Sequence, residues 1–268
     1  MFSAESIFRD LKEIRTKAPL IHNITNYVVM NLTANALLAL GASPVMAHAA
    51  EEVEDMTQLA SALVINIGTL SPPWVEAMFK AGQAAEKRGL PVVLDPVGAG
   101  ATPFRTSTAK KLLESFPVAV IRGNGSEIKA LVHSGAKTKG VDSLEASESA
   151  VLAARELVEK YNCVVSISGE KDFIIGKDRV IVVENGHPLM PRVTGLGCTA
   201  SALTGAFAAV NHDYVEAAAA AMAVMGICGE LAATRAEGPA SFELHFLDWL
   251  YRLNYEEIEA RLKFEVRS

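Results

Sequence analysis

The amino-acid sequence predicts an α/β fold of the three-layer α/β/α type, with a mostly parallel central sheet between two layers of helices. Short β-branched runs alternate along the chain with longer amphipathic or alanine-rich segments, which is the pattern of stacked βαβ units. The apolar runs are continuous rather than alternating, which indicates strands buried on both faces. Two further apolar runs flank a turn at Gly176–Asp178, so an antiparallel hairpin is predicted at one edge of the sheet.

Five segments carry the pattern of a buried strand, and each ends in glycine or polar residues. They are Ser43–His48, Ala62–Gly68, Pro91–Gly98, Val118–Gly123 and Cys163–Gly169. Helices are predicted between them, for example over Tyr27–Leu40 and Trp74–Arg88, because a glycine follows the last apolar turn of each. The predicted hairpin strands are Phe173–Ile175 and Val180–Val183.

The C-terminal third of the chain is predicted to be helical. The small residues of Thr199–Val210 and the alanine-rich Val215–Ala233 indicate two closely packed helices. Apolar residues recur at near-helical spacing over Ser241–Leu253, which predicts a helix docked on the core. Because no repeat, linker or change of composition divides the chain, residues 1–268 are expected to form a single domain.

Composition and charge exclude several classes of protein. With 50% hydrophobic and 21% charged residues, the 268-residue chain has globular composition. Its net charge of −6 argues against nucleic acid as a partner. The segment Met1–Lys17 is too charged for a signal peptide, and the apolar stretch Ala217–Gly229 is shorter than the roughly 20 residues that span a bilayer. We therefore expect a cytoplasmic protein with no membrane partner.

Polar residues follow the predicted parallel strands, at the end of the sheet where open α/β folds bind ligands. Asp95 and Arg122 end two of the strands, Glu127 follows soon after Arg122, and Ser168 ends a third strand. Carboxylates are suited to a hard metal ion, whereas arginine is suited to phosphate oxygens. The sequence therefore predicts one crevice that holds an anion and a metal.

The glycine-containing segment Thr194–Cys198 leads into the small-residue helix. Its glycines let backbone N–H groups face a bound anion, and a helix N-terminus adds about half a positive charge. A phosphate site is predicted here, although a turn required only by chain geometry fits the segment equally well. The GxxxxGK[ST] motif of P-loop enzymes is absent, and the dinucleotide fingerprint at Gly195–Ala200 lacks the following acidic residue that ribose recognition needs.

Seven stretches, spread over nearly the whole chain, match the pattern of one enzyme family. They are Pro19–Asn26, Leu38–Met46, Asn66–Leu70, Leu94–Arg105, Ile121–Asn124, Val193–Cys198 and Gly238–Phe242. On these motifs the sequence resembles the hydroxyethylthiazole kinase family of the ribokinase-like superfamily. The resemblance implies transfer of the ATP γ-phosphate to the primary hydroxyl of 4-methyl-5-(2-hydroxyethyl)thiazole, a salvage step toward thiamine. It also implies a Mg²⁺ requirement and a homotrimer with active sites at subunit interfaces.

The resemblance also implies roles for individual residues. Substrate-binding positions correspond to Met46, Gly195 and Asn26, ATP-binding positions to Arg122, Ser168, Thr194 and Gly197, and the acidic pair serving Mg²⁺ to Asp95 and Glu127. Ser168 keeps the hydroxyl of the threonine that is common at its position. Leu196 replaces a small residue or threonine, and both neighbouring glycines stay in place.

Cys198 stands where many ribokinase-like kinases have the aspartate that accepts the substrate's hydroxyl proton. A thiol with a pKa near 8.5 is mostly protonated at neutral pH, although a helix N-terminus can lower that pKa. Because the transition state of phosphoryl transfer is loose, a weak base can suffice. We predict that Cys198 orients the hydroxyl and assists late proton removal without a covalent intermediate. Cys163 and Cys228 are expected to be inert core thiols.

Several alternatives remain open on the sequence alone. Arg122 could pair with a structural carboxylate, Glu127 could cap a helix, and His22 is expected to be a structural core residue. The same superfamily includes related small-alcohol kinases and a repair dehydratase for hydrated nicotinamide cofactors, and Cys198 argues against the dehydratase. A non-catalytic nucleotide or thiazole binder is the third alternative, against which the complete set of Asp95, Arg122 and Glu127 argues.

Overall fold

The computed structural model describes residues 1–133 and 143–267 of the chain. The strands are β1 Leu20–Ile24, β2 Ser43–Val45, β3 Ala62–Asn66, β4 Val92–Asp95, β5 Val120–Asn124, β6 Val164–Ser168, β7 Asp172–Ile175, β8 Val180–Val183 and β9 Phe264–Arg267. The helices are α1 Ala4–Lys17, α2 Met30–Leu40, α3 Val53–Leu59, α4 Pro72–Arg88, α5 Pro103–Ser115, α6 Gly125–Val132, α7 Ser143–Tyr161, α8 Leu196–Ala208, α9 Tyr214–Ala233, α10 Pro239–Arg252 and α11 Tyr255–Arg261.

The described strands form one nine-stranded sheet in the order β2-β1-β3-β4-β5-β6-β7-β8-β9. Neighbouring strands from β2 to β6 are parallel, and those from β6 to β9 are antiparallel. In this register Asn66 lies beside Asp95, and Asn124 lies beside Ser168. The polar residues that end the parallel strands therefore share one end of the sheet, as the sequence predicts.

Helices cover both faces of the sheet. One apolar core lies under α1, α2 and α8 to α11, and its largest fully buried side chains include Phe207, Phe242 and Phe246. The other core lies under α3 to α7 and includes Trp74 and Met78. The predicted three-layer α/β/α class is confirmed, as are the hairpin β7–β8 and the docked C-terminal helix α10.

Two strands are not predicted by the sequence pattern, and a third differs in its burial. β1 contains His22 and Asn23, which interrupt the apolar run but are fully buried. β9 is an exposed edge strand. The predicted strand that begins at Ser43 is shorter in the structure and only partly buried, because β2 lies at the other edge of the sheet.

Among the described residues, α9 is the one helix long and apolar enough to cross a bilayer by length and composition. This helix of 20 residues contains the apolar stretch Ala217–Gly229 and confirms the helix predicted over Val215–Ala233. In the structure, 94% of its most apolar window is buried inside the fold, where it packs between α8 and α10. This burial identifies α9 as a core helix.

The packing of α8 leads to a stability prediction. Phe207 of α8 is fully buried, so Phe207→Ala should lower the free energy of unfolding by about 3–5 kcal/mol through lost burial and a cavity. The exposed Phe104 provides a matched control, since Phe104→Ala should change that free energy by no more than about 0.5 kcal/mol. Urea denaturation followed by circular dichroism measures both. Equal losses in the two variants would contradict the assignment of Phe207 to the core.

Candidate active site

Arg122 is a buried cation without a direct partner among the described residues. Its side chain lies at the C-terminal half of β5, and the residue is only 7% exposed. None of its guanidinium nitrogen atoms makes a hydrogen bond or ion pair to a described residue, and Nε is fully buried. Because an unpaired buried charge is costly, the site favours an anion at this guanidinium. Pairing of Arg122 with a structural carboxylate is not seen in the described part of the chain.

Arg122 faces a cleft of about 780 Å³. Ser168, at the end of β6, and Gly197, in the first turn of α8, also line it. A Cβ atom on Gly197 would lie 3.2 Å from Nη1 of Arg122, so the glycine lets the α8 terminus approach the guanidinium closely. Three of the four predicted ATP-binding positions thus share one cleft. The fourth, Thr194, is exposed and does not line it.

The start of α8 depends on a glycine. Gly195 is the N-cap residue and has a left-handed backbone with φ of +90°, a conformation that residues other than glycine rarely adopt. A Cβ atom there would also lie 2.9 Å from Cγ1 of Val29. The turn is therefore required by chain geometry and also places the positive end of the α8 dipole beside the cleft. The two interpretations of this segment are compatible.

Asp172 is a buried carboxylate in the same cleft that the sequence analysis missed. Burial raises its pKa to about 6, against the opposing effects of a hydrogen bond from the Gly169 N–H and the charge of Arg122. The Gly169 nitrogen lies 3.1 Å from Oδ1. An acidic residue just after the polar end of β6 is the signal that could have identified it.

A chain of hydrogen bonds links Cys198 to Asp95. Asn26 Nδ2 donates to Cys198 Sγ at 3.4 Å and to Asn66 Oδ1 at 2.9 Å. Asn66 Nδ2 in turn donates to Asp95 Oδ2 at 2.9 Å, and Ser201 Oγ donates to the same oxygen at 2.7 Å. The sequence analysis assigned no role to Asn66 or Ser201, although Ser201 lies three residues after Cys198, on the same face of α8. This network fixes the thiol relative to the carboxylate.

Asp95 is 1% exposed, and burial raises its pKa to about 7 despite the opposing effects of Arg122 and Ser201. The charge of Glu127 raises this pKa further, which shows that the two carboxylates are close enough to interact. Oδ1 of Asp95 accepts no hydrogen bond from a described residue, so one oxygen is free to bind a cation. Two interacting carboxylates with a free oxygen fit the ligand chemistry of Mg²⁺.

Glu127 also has a structural role. Its Oε2 accepts the N–H of Asn124 at 2.8 Å, which completes a capping box at the start of α6. Its Oε1 accepts the N–H of Gly98 at 2.9 Å. Helix capping by Glu127 is confirmed, and each oxygen keeps a lone pair for a metal-bound water. The described residues contain no group of three His, Cys, Asp or Glu side chains for a metal, so waters and phosphate oxygens would have to complete the coordination.

Burial raises the pKa of Cys198 to about 11, and the charge of Asp95 contributes to the increase. The structure thus opposes the lowering that a helix N-terminus can produce. The thiol is protonated at neutral pH and cannot accept a proton in that form, which favours an orienting role. Cys163 and Cys228 are buried core residues, as expected.

Met46 lies outside the Arg122 cleft, in the segment that follows edge strand β2. The neighbouring Ala47 carbonyl contacts Nε2 of His22 at 2.8 Å, and Nδ1 of the same ring lies 3.1 Å from Thr57 Oγ1. His22 is therefore a satisfied core residue, as expected. It holds the segment that carries Met46 against β1 and α3.

The mostly parallel nine-stranded sheet between two layers of helices is a ribokinase-like fold. A ribokinase-like superfamily protein from Enterococcus faecalis V583 has the same fold, with a TM-score of 0.66 at 12% identity over 93% of this chain and 94% of that one. The chain belongs to the hydroxyethylthiazole kinase family, whose model matches residues 11–256. It is therefore a kinase.

Two relatives are much more similar. The hydroxyethylthiazole kinase of Syntrophus aciditrophicus is 62% identical over 260 residues, which cover 97% of this chain and 96% of the relative. The solved structure of the hydroxyethylthiazole kinase protein from Pyrococcus horikoshii OT3 has a TM-score of 0.90 at 45% identity, over 98% of this chain and 100% of that one. The similarity therefore extends over the whole fold.

The raised pKa of Cys198 predicts slow alkylation. Because only the thiolate reacts, iodoacetamide at pH 8 should modify Cys198 roughly 100-fold more slowly than a free cysteine of pKa near 8.5. The rate should keep rising with pH toward the pKa of about 11. Mass spectrometry of the labelled peptide measures it, and Cys198→Ser, which retains only the two buried thiols, is the control. A rate that levels off below pH 9 would mean that α8 stabilises the thiolate.

Proposed function

We propose that this kinase transfers the γ-phosphoryl group of ATP to the primary hydroxyl of 4-methyl-5-(2-hydroxyethyl)thiazole, in the salvage of thiamine precursors. Membership of the family and the names of the close relatives support this substrate. The observation that carries the phosphoryl-transfer chemistry is the unpartnered, buried guanidinium of Arg122 beside Gly197. The cleft of about 780 Å³ is within the usual size range of small-ligand sites.

In this proposal the cleft binds ATP. Phosphoryl transfer needs positioning and charge neutralisation more than covalent chemistry, and Arg122 supplies a rigid fork of donors for phosphate oxygens. Ser168 provides a hydroxyl on the same wall, and Gly197 provides a backbone N–H group at the α8 terminus. Thr194, just before that terminus and outside the cleft, would provide a further backbone N–H group. The anion thus replaces the partner that Arg122 lacks among the described residues.

Asp95 and Glu127 would hold Mg²⁺, which when bound neutralises charge on the transferring phosphate. A cation at this position would also offset the repulsion between the two carboxylates. Asn66 and Ser201 hold one oxygen of Asp95, so the remaining oxygen keeps a defined direction. These residues position the carboxylate before any ligand arrives.

On the acceptor side, Asn26, Met46 and Gly195 would bind the thiazole, and Cys198 would orient its hydroxyl. Asn26 donates to Sγ, so the thiol hydrogen stays available for a second hydrogen bond. A loose transition state allows the hydroxyl proton to leave late, after the bond to phosphorus has begun to form, and to pass to an oxygen of the transferred phosphoryl group. A covalent intermediate on Cys198 is not needed.

We also propose that the chain works in the cytoplasm as a homotrimer of single-domain subunits, with active sites at subunit interfaces. Two observations support an interface beside the site. Met46 follows an edge strand and lies outside the ATP cleft. Tyr27 and Val28, next to Asn26, are each 64% exposed and form an apolar surface that a second subunit would cover.

The activity is tested by ADP release with Mg-ATP and hydroxyethylthiazole, beside pyrimidine and sugar alcohols as alternative acceptors. Arg122→Ala should lower kcat/KM by about 100- to 1,000-fold, because it removes a preorganised donor to the phosphate. Cys198→Ala should lose less, since Cys198 only orients the hydroxyl. The exposed Arg252, changed to Ala, is the control for loss of an arginine. No activity on the thiazole, or a trapped phosphocysteine, would contradict the proposal.

The oligomeric state is tested by sedimentation velocity, which should give a mass three times the 28.6 kDa of the chain. Tyr27→Glu should shift this mass toward that of a single chain, because a charge would be buried at the interface. The exposed Tyr251, changed to Glu, should leave the mass unchanged. A fully active single chain would rule out active sites shared between subunits.

A further inference from the structure

Arg105, in the first turn of α5, donates hydrogen bonds to three backbone carbonyls. Its Nη1 lies 2.9 Å from the Ile67 oxygen and 2.8 Å from the Val97 oxygen, and its Nη2 lies 2.7 Å from the Gly68 oxygen. No described carboxylate forms an ion pair with it. The guanidinium therefore joins the loop that follows β3 to the loop that follows β4. Asn66 ends β3 and Asp95 ends β4, so both loops begin at residues of the site.

The contact with the β3 loop reaches Asp95 through one peptide unit. The carbonyl of Ile67 and the N–H of Gly68 belong to the same planar trans peptide and point in opposite directions. While Arg105 holds the carbonyl, the Gly68 N–H donates to Asn66 Oδ1 at 2.9 Å. The side-chain nitrogen of Asn66 then donates to Asp95 Oδ2. Fixing the peptide therefore fixes the amide that orients Asp95.

The contact with the β4 loop reaches Glu127 in the same way. The Val97 carbonyl and the Gly98 N–H share one peptide, and that N–H donates to Glu127 Oε1 at 2.9 Å. Gly98 has a φ of +73°, and a Cβ atom on it would lie 3.1 Å from Cδ of Arg105. The glycine thus permits the bent loop and the close approach of the arginine stem.

We propose that Arg105 is a positioning residue that sets the two carboxylates, Asp95 and Glu127, through these two peptide units. This inference rests on the proposed function in one respect, namely that these two carboxylates hold the Mg²⁺ that the reaction needs. A single guanidinium nitrogen, Nη1, binds both peptides, so the spacing of the carboxylates is coupled to one group. Its positive charge also polarises both peptides and makes their N–H groups stronger donors.

The test compares Arg105→Lys with Arg15→Lys. Arg15 is a matched control, since it also donates to three backbone carbonyls, those of Leu250, Tyr251 and Leu253 at the end of α10. Lysine keeps the charge but has no planar fork with which to bridge two peptides. In Arg105→Lys we expect kcat to fall, or the Mg²⁺ concentration for half-maximal activity to rise, by about 10- to 100-fold. The KM for thiazole should change little.

Hydrogen exchange provides a readout that is independent of activity. In Arg105→Lys, exchange should speed up at the amides of Gly68 and Gly98, whereas in Arg15→Lys it should speed up only near the end of α10. Added guanidinium ion should partly restore Arg105→Ala, which a globally unfolded variant would not show. A wild-type kcat together with wild-type Mg²⁺ dependence in Arg105→Lys, or unchanged exchange at both glycines, would overturn the inference. If the wild-type chain phosphorylates no thiazole, the proposed function fails, but the exchange result still decides the role of Arg105.

Discussion

The parallel pairing of β1 to β6 is the constraint on which the rest of this structure depends. Parallel strands need crossover connections, so helices cover both faces and the strand interiors must be apolar. Polar residues are then mostly confined to the strand ends, with His22 and Asn23 of β1 as exceptions, and the register brings Asn66 beside Asp95. The active site is a consequence of that confinement. It collects the side chains that the buried sheet could not accommodate elsewhere.

Charge balance distinguishes this site from the rest of the core. Asp95 and Asp172 are buried with raised pKa values, and the guanidinium of Arg122 influences both without forming an ion pair with either. A core selected only for stability would pair these groups or replace them with apolar residues. Within the part of the chain that the structure describes, the pairing is incomplete on both sides, since a cation is unpartnered and a carboxylate oxygen is free. A phosphate and a divalent ion would complete it together.

The sequence predicts the layers of the fold well because continuous apolar runs and glycine stops report directly on burial and helix ends. It fails at β1, where His22 and Asn23 are buried polar residues. The partners of His22 come from distant segments, and Asn23 donates to the Ile21 carbonyl of its own strand. The residues of the site fall into the same two groups, those that the sequence predicts and those that it does not. Residues that end strands, such as Asp95 and Arg122, are visible as motifs. Arg105 ends the matched stretch Leu94–Arg105, but its role is not predicted there, because it acts through backbone groups that leave no pattern in the sequence.

The small-residue helices α8 and α9 restrict how this protein can change during evolution. A Cβ atom on Gly226 would lie 2.5 Å from the backbone oxygen of Asn185, and one on Gly205 would lie 2.7 Å from Val64. The glycine and alanine positions of these helices have little or no side chain to remove, so substitutions at those positions add volume to a filled space. Divergence among such proteins should therefore concentrate in the outer helices, and the inner pair should set the lower limit of the distance between helix and sheet.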